Sequence, residues 1–83
     1  MNENHLMTET VEISPRFRKT IEERIVRLEE GAARDEAQLA FLENADHVRR
    51  QRLLIAMQRS EALRMRIFLD HSRIRIPRPF IAL

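Results

Sequence analysis

The sequence of 83 residues contains no cysteine, tryptophan or tyrosine, and it has one glycine and three prolines. Without cysteine the chain forms no disulfide, and its three histidines are not spaced as the ligands of a structural zinc site. A chain this short also buries too little surface for a large core. Tight helix packing and oligomerisation are then the remaining means of stabilisation, and the scarcity of helix-breaking residues favours them.

Long apolar segments are also missing. The longest apolar run, at 53–57, is far shorter than the roughly 20 residues of a membrane-spanning helix, and so are shorter runs such as 67–69. The first fourteen residues show no basic stretch followed by an apolar run, so they do not have the pattern of a secretory signal. We therefore expect a cytoplasmic protein that does not bind a membrane.

The charged residues are unevenly distributed. Residues 1–46 hold six basic and eleven acidic side chains, whereas residues 47–83 hold nine basic and two acidic side chains. Such an asymmetry has two interpretations. The two halves pair with each other, or the second half offers a basic surface to an acidic partner.

The first half predicts one long helix, over about 15–43. Ser14-Pro15 is a strong start signal, because a serine caps free N–H groups and proline suits the first helical position. Apolar residues then follow at alternating steps of four and three, as in a heptad pattern with Asp35 as its one polar interruption: Ile21, Ile25, Leu28, Ala32, Leu39 and Leu42. Because this pattern stays in phase across Gly31, we expect a continuous helix there; a kink at the glycine is the alternative.

A second helix is predicted over about 47–72. Asn44 and Asp46 supply a turn, and Asp46 can cap the helix that follows. Residues 1–13 show no helical period and are interpreted as a flexible arm. Residues 73–83 alternate arginine with isoleucine and then contain two prolines, so they are interpreted as an extended tail.

The predicted fold class is all-α, a long antiparallel helical hairpin of coiled-coil type with an extended N-terminal arm and C-terminal tail. The second helix is apolar on more than one face, which predicts burial from several sides. The first helix carries a second stripe of small residues that would let another helix approach closely: Val26, Ala33, Ala37 and Ala40. Both features predict that hairpins associate into a homodimeric four-helix bundle.

Two rows of opposite charge predict the register of the hairpin. Glutamates recur every seven residues on the first helix and arginines on the second, which gives four antiparallel pairs: Glu43 with Arg52, Glu36 with Arg59, Glu29 with Arg66 and Glu22 with Arg73. Flanking charges of this kind set partner and direction. In the alternative interpretation, the arginine row faces outward and binds phosphates.

The open end of the hairpin is the predicted partner-binding or anion-binding site. Antiparallel folding brings the start of the first helix near the end of the second, and together these segments carry six cations: Arg16, Arg18, Lys19, Arg73, Arg75 and Arg78. Free helix N–H groups beside arginines favour an acidic ligand. Neutralisation by Glu9, Glu12 and Asp70 is the alternative.

The tail has its own docking residues, which are Ile74, Ile76, Phe80, Ile81 and Leu83. They would either cover the apolar surface of their own bundle, which is the favoured interpretation, or dock on a partner as a strand or a Pro-x-Pro segment.

No combination of residues predicts catalysis. The histidines are solitary, no glycine-rich phosphate loop is present, and the Glu-x-x-His pairs of helical di-metal sites are missing. We therefore expect no enzyme, no metal and no cofactor. The leading hypothesis is a small helical protein that binds another macromolecule, most simply a protein, as adaptor, inhibitor or assembly factor. A nucleic-acid-binding regulator and a structural subunit of a larger complex are the alternatives.

Overall fold

The computed structural model describes residues 11–74. In chain order they form β1 (Val11–Ile13), α1 (Pro15–Gln38), a 3₁₀ turn (Leu39–Phe41), α2 (Ala45–Asp70) and β2 (Ser72–Ile74). The two long helices pack against each other as a hairpin, which confirms the predicted helical architecture. The first ten residues of the predicted arm and the tail from residue 75 onward lie outside the described residues.

Helix α1 starts as the sequence predicts. The side chain of Ser14 accepts a hydrogen bond of 3.1 Å from the N–H of Phe17, and Pro15 occupies the first helical position. The helix continues through Gly31 without interruption, and its glycine keeps a negative φ. The expected continuous helix across Gly31 is confirmed.

The predicted turn needs correction. Helix α1 ends at Gln38 rather than near residue 43, and after the 3₁₀ turn Leu42 is extended. The cap of α2 is Asn44 and not Asp46, because Asn44 Oδ1 accepts the N–H groups of Asp46 and His47 at 2.8 and 3.2 Å. Asp46 lies in the first turn of α2 instead, where a carboxylate interacts favourably with the helix dipole. At its other end, α2 stops at Asp70, two residues before the predicted boundary.

The core is narrow and lies along the helix–helix seam. Its buried residues are Ile13, Ile25, Ala32, Ile55, Ala62 and Leu69. The five helical positions among them, 25 and 32 on α1 and 55, 62 and 69 on α2, follow a seven-residue step on each helix. The seam also contains a polar residue, Gln58, whose Oε1 is buried without a hydrogen-bond partner among residues 11–74.

The two strands pair in parallel and join the segments that flank the hairpin. Val11 lies opposite Ser72, Glu12 opposite Arg73 and Ile13 opposite Ile74. Ile13 is 5 % exposed and packs into the core with Ile25, Ala62 and Leu69. Residues 11–13 are therefore an ordered strand, which corrects their assignment to a flexible arm. The partner strand lies at the far end of the sequence, so no local pattern reveals the pairing.

Candidate interaction surfaces

One flank of the hairpin carries the predicted ion pairs. Arg66 Nε and Nη2 donate to the two carboxylate oxygens of Glu29 at 2.8 and 2.7 Å, and Arg59 binds both oxygens of Glu36 at 3.3 and 2.7 Å. These hydrogen bonds and the positive guanidinium charge lower the pKa of Glu29 and Glu36, and the carboxylates raise the pKa of both arginines. We call this flank the paired face; it confirms the two inner pairs of the predicted register.

The two outer pairs of the register are wrong. Glu22 accepts a bond of 3.2 Å from Arg18 on its own helix, and Arg73 has left the helix and lies in β2 opposite Glu12. Glu43 follows the end of α1 and lies in the loop, so the helical row stops before it reaches Arg52. The register therefore holds only where both partners are helical.

The opposite flank has different contacts between the helices. Arg24 Nη2 lies 3.0 Å from Glu61 Oε2. The rings of Phe17 and Phe68 meet edge to face with centroids 6.4 Å apart. These two contacts are separated by one heptad on each helix, as are the two pairs of the paired face.

Four further arginines border this second flank. Arg27 and Arg34 follow Arg24 and Gly31 by three residues on α1, so helical periodicity places them on the same side. On α2 the corresponding residues are Arg50 and Arg64. All four are exposed, and none has an acidic group within 4.0 Å among residues 11–74. We call this surface, which contains Arg24 and these four residues, the arginine face.

The middle of the arginine face is apolar. Leu54 and Met57 are 51 % and 58 % exposed, and Phe17 is 48 % exposed. Arg64 lines an open hollow of about 610 Å³ with Asp35, Leu54, Met57 and Glu61. It also lines a neighbouring hollow of about 450 Å³ with Phe17, Ile21 and Phe68. The face thus combines an apolar strip with cationic borders.

The predicted basic pole is only partly assembled. Arg16 and Lys19 are exposed on the first turns of α1, but Arg18 is bound to Glu22 and Arg73 lies opposite Glu12. Arg75 and Arg78 lie outside the described residues.

The helix terminus at this pole has few free donors. Pro15 has no N–H, and the N–H groups of Phe17 and Arg18 bond to the side chain and the carbonyl of Ser14. The amide contribution to the predicted anion site is therefore largely used within the chain. Of the predicted tail-docking residues, Ile74 is an exposed residue of β2 and the others lie outside the described residues: Ile76, Phe80, Ile81 and Leu83.

A further apolar surface lies on the outer side of the helices near the paired face. It consists of Val26 on α1 and of Leu53, Leu63 and Ile67 on α2, which are between 48 % and 61 % exposed. Small exposed residues extend it, namely Ala33 and Ala37 on α1 and Ala40 in the 3₁₀ turn. We call these residues the outer stripe. The apolar spacing of the outer stripe is visible in the sequence. The arginine face is not, because its cations come from both helices and only the register of the hairpin places them on one flank.

The described residues show no arrangement suited to metal chemistry or to crossing a membrane. Between residues 11 and 74 no group of three or more His, Asp or Glu side chains is placed to hold a metal ion. Neither α1 nor α2 combines the length and the apolar character of a membrane-spanning helix. Comparisons of the chain with protein-family models, with curated proteins and with solved structures return no match.

Proposed function

We propose that the chain is a non-catalytic, homodimeric helical protein that binds another protein as an adaptor, inhibitor or assembly factor. The observation that carries this proposal is the amount of apolar surface left exposed. Ten large hydrophobic side chains are exposed in the described hairpin, whereas only six residues are buried. An exposed apolar surface of this extent is typical of a protein-binding site.

The dimer would form through the outer stripe. Two hairpins related by a twofold axis along the helices place α1 of one against α2 of the other in antiparallel orientation, which gives a four-helix bundle of coiled-coil type. The small side chains of α1 then allow the leucines and isoleucine of α2 to approach closely. The charges of the paired face already neutralise each other, so the bundle would enclose no unpaired charge from Glu29 or Glu36.

Light scattering on the purified full chain tests the dimer. We expect the mass of a dimer at micromolar concentration and a monomer for Leu63→Asp, because the new carboxylate would be buried without a partner. Met57→Asp is the matched control, since Met57 has nearly the same exposure on the same helix but lies on the arginine face. A monomeric wild-type chain, or equal effects of the two substitutions, would contradict the proposed interface.

Affinity capture tests the partner. The tagged full chain, treated with nuclease, is used to capture proteins from extracts of its source organism, and each candidate is then purified and titrated against the chain. Direct binding of one purified protein by the wild-type dimer is the expected result. Capture of no protein that binds the purified chain directly would contradict the proposal.

The unpaired arginines favour a second candidate, a nucleic-acid-binding regulator. Four guanidiniums without acidic partners in the described hairpin suit phosphate groups. Titration of duplex DNA and of RNA at several salt concentrations tests this candidate. True phosphate contacts produce a steep loss of affinity with salt, and the absence of binding at low salt would exclude it.

A further inference from the structure

We infer that the arginine face binds an acidic amphipathic helix of another protein. The inference rests on the proposed protein-binding function and assigns to it a surface and a class of partner. The dimer forms through the outer stripe, so the partner can bind the arginine face of a dimer. Three properties of the arginine face carry it: its charge, its apolar centre and its shape.

Most of the positive charges on the arginine face have no acidic partner among residues 11–74, whereas the arginines of the paired face are bound to glutamates. Arg27 and Arg34 border it on α1, and Arg50 and Arg64 border it on α2, all without an acidic neighbour within 4.0 Å among residues 11–74. Among residues 11–74 its one ion pair, between Arg24 and Glu61, uses one of the two acidic residues that line the hollow beside Arg64; the other, Asp35, is half-buried. The complementary partner therefore carries carboxylates on both sides of its contact surface.

The apolar centre selects a protein over a nucleic acid. Leu54 and Met57 are more than half exposed between the cationic borders, and a sugar-phosphate backbone has no apolar group to cover them. The rings of Phe17 and Phe68 contact each other edge to face rather than standing free for stacking with bases. An amphipathic helix covers this strip with its own apolar stripe and meets the arginines with its flanks.

The shape fits a third helix lying along the hairpin. Gly31 lies beside Gln58, since a Cβ at this position would be 3.5 Å from Gln58 Nε2. Because glycine has no side chain, the surface has a shallow depression there. From Phe17 to Gly31 the face extends two heptads, which corresponds to about 20 Å or roughly four helical turns. The partner helix is thus on the order of 14–18 residues long.

A second copy of the chain fits this face less well. Among its exposed glutamates, Glu23 and Glu30 have no ion-pair partner within residues 11–74, and both lie on the outside of α1 rather than on the arginine face. Contact between two different surfaces of identical chains does not give a closed dimer but a ring or a filament. The occupant is therefore a different protein.

The test is a titration of the full chain with a fluorescent model peptide. The peptide has about 18 residues with leucines at heptad positions a and d and glutamates at e and g. The double variant Arg34→Glu with Arg64→Glu is expected to weaken binding by about tenfold or more at roughly 150 mM salt. The matched control is the double variant Arg49→Glu with Arg52→Glu, which makes the same charge change at two exposed arginines of α2 away from the arginine face and is expected to bind as the wild type does. Circular dichroism verifies that both variants remain helical.

Three results would overturn the inference. These are equal binding by both double variants, failure of the wild type to bind the acidic peptide, and equal binding of a control peptide with lysines in place of the glutamates. Displacement of the peptide by an equimolar DNA duplex would assign the face to nucleic acid instead. A captured partner protein that binds the Arg34/Arg64 variant at full strength would refute the arginine face and leave the proposed function intact, whereas a chain that captures no protein refutes the proposed function itself.

Discussion

Gly31 has the lowest helix propensity in the interior of α1, and the helix continues through it. An ideal Cβ at this position would lie 3.5 Å from Gln58 Nε2 and 3.9 Å from Arg34 Nη2, both ordinary contact distances. We therefore expect Gly31→Ala to increase the free energy of unfolding by about 1 kcal/mol, because alanine loses less backbone entropy. Thermal denaturation followed by circular dichroism measures the change.

The matched control for this substitution is Ala33→Gly, an exposed position on the same helix. It should lower the free energy of unfolding by about the same 1 kcal/mol. A destabilising Gly31→Ala would mean that Gln58 is unable to accommodate even a methyl group.

Gln58 is a polar residue in an otherwise largely apolar seam. Because its buried Oε1 has no hydrogen-bond partner among residues 11–74, Gln58→Met should stabilise the hairpin by about 1–2 kcal/mol. Chemical denaturation provides the measurement. Gln51→Met serves as control, since Gln51 is half-buried on the same helix but contains no such orphan atom, and the control should change stability by less.

At the scale of elements, the ion pairs of the paired face make hairpin stability depend on pH. Their guanidiniums hold the pKa of Glu29 and Glu36 below the value of 4.5 that each carboxyl has without a partner. The folded state thus binds fewer protons than the unfolded state, so stability rises with pH. The stabilisation by these ion pairs is fully present above pH 4.5, and it is lost as the pH falls through the lowered pKa values of the two carboxyls in the folded state.

A double substitution tests this dependence. Glu29→Gln with Glu36→Gln should reduce the fall in melting temperature between neutral and acidic pH, measured by circular dichroism. The control is Glu23→Gln with Glu30→Gln, two glutamates without an ion-pair partner among residues 11–74. An equal flattening by both variants would show that net charge, rather than these pairs, sets the pH dependence.

Only some features of α1 and of the paired face can be predicted from the sequence. The start of α1, its continuity at Gly31 and the pairs of Glu29 and Glu36 follow from local capping and heptad spacing, which the sequence displays directly. The end of α1 does not, because the heptad pattern continues through Leu39 and Leu42 although the backbone has already turned. Local pattern does not record where tertiary contacts end a helix.

The two interaction surfaces differ in how well the sequence predicts them. The outer stripe follows from the apolar spacing of the sequence. The arginine face becomes visible only after the register assigns each residue to a flank, since Arg34 and Arg64 are thirty residues apart in the chain. The strand pair depends on segments still further apart, and three-residue strands carry too little pattern to predict a partner.

At the scale of the whole molecule, the proposed dimer makes stability depend on protein concentration. Association stabilises the folded state by mass action, so the melting temperature of the wild type should rise with concentration. Differential scanning calorimetry across a hundredfold range, on the order of micromolar to 100 µM, measures this. The Leu63→Asp variant should show a lower melting temperature that stays constant over the range. A constant melting temperature for the wild type would contradict the dimer.

The parallel pairing of β1 with β2 also determines how the protein would respond to mechanical force. Tension applied through the chain before Val11 and after Ile74 pulls the two strands in opposite directions along their length. In a parallel pair this loads the hydrogen bonds between the strands in shear, so they resist together instead of opening one after another. The strand pair would then act as a clamp that must rupture before the two helices separate, and an optical-tweezers experiment would record that rupture as the first extension step.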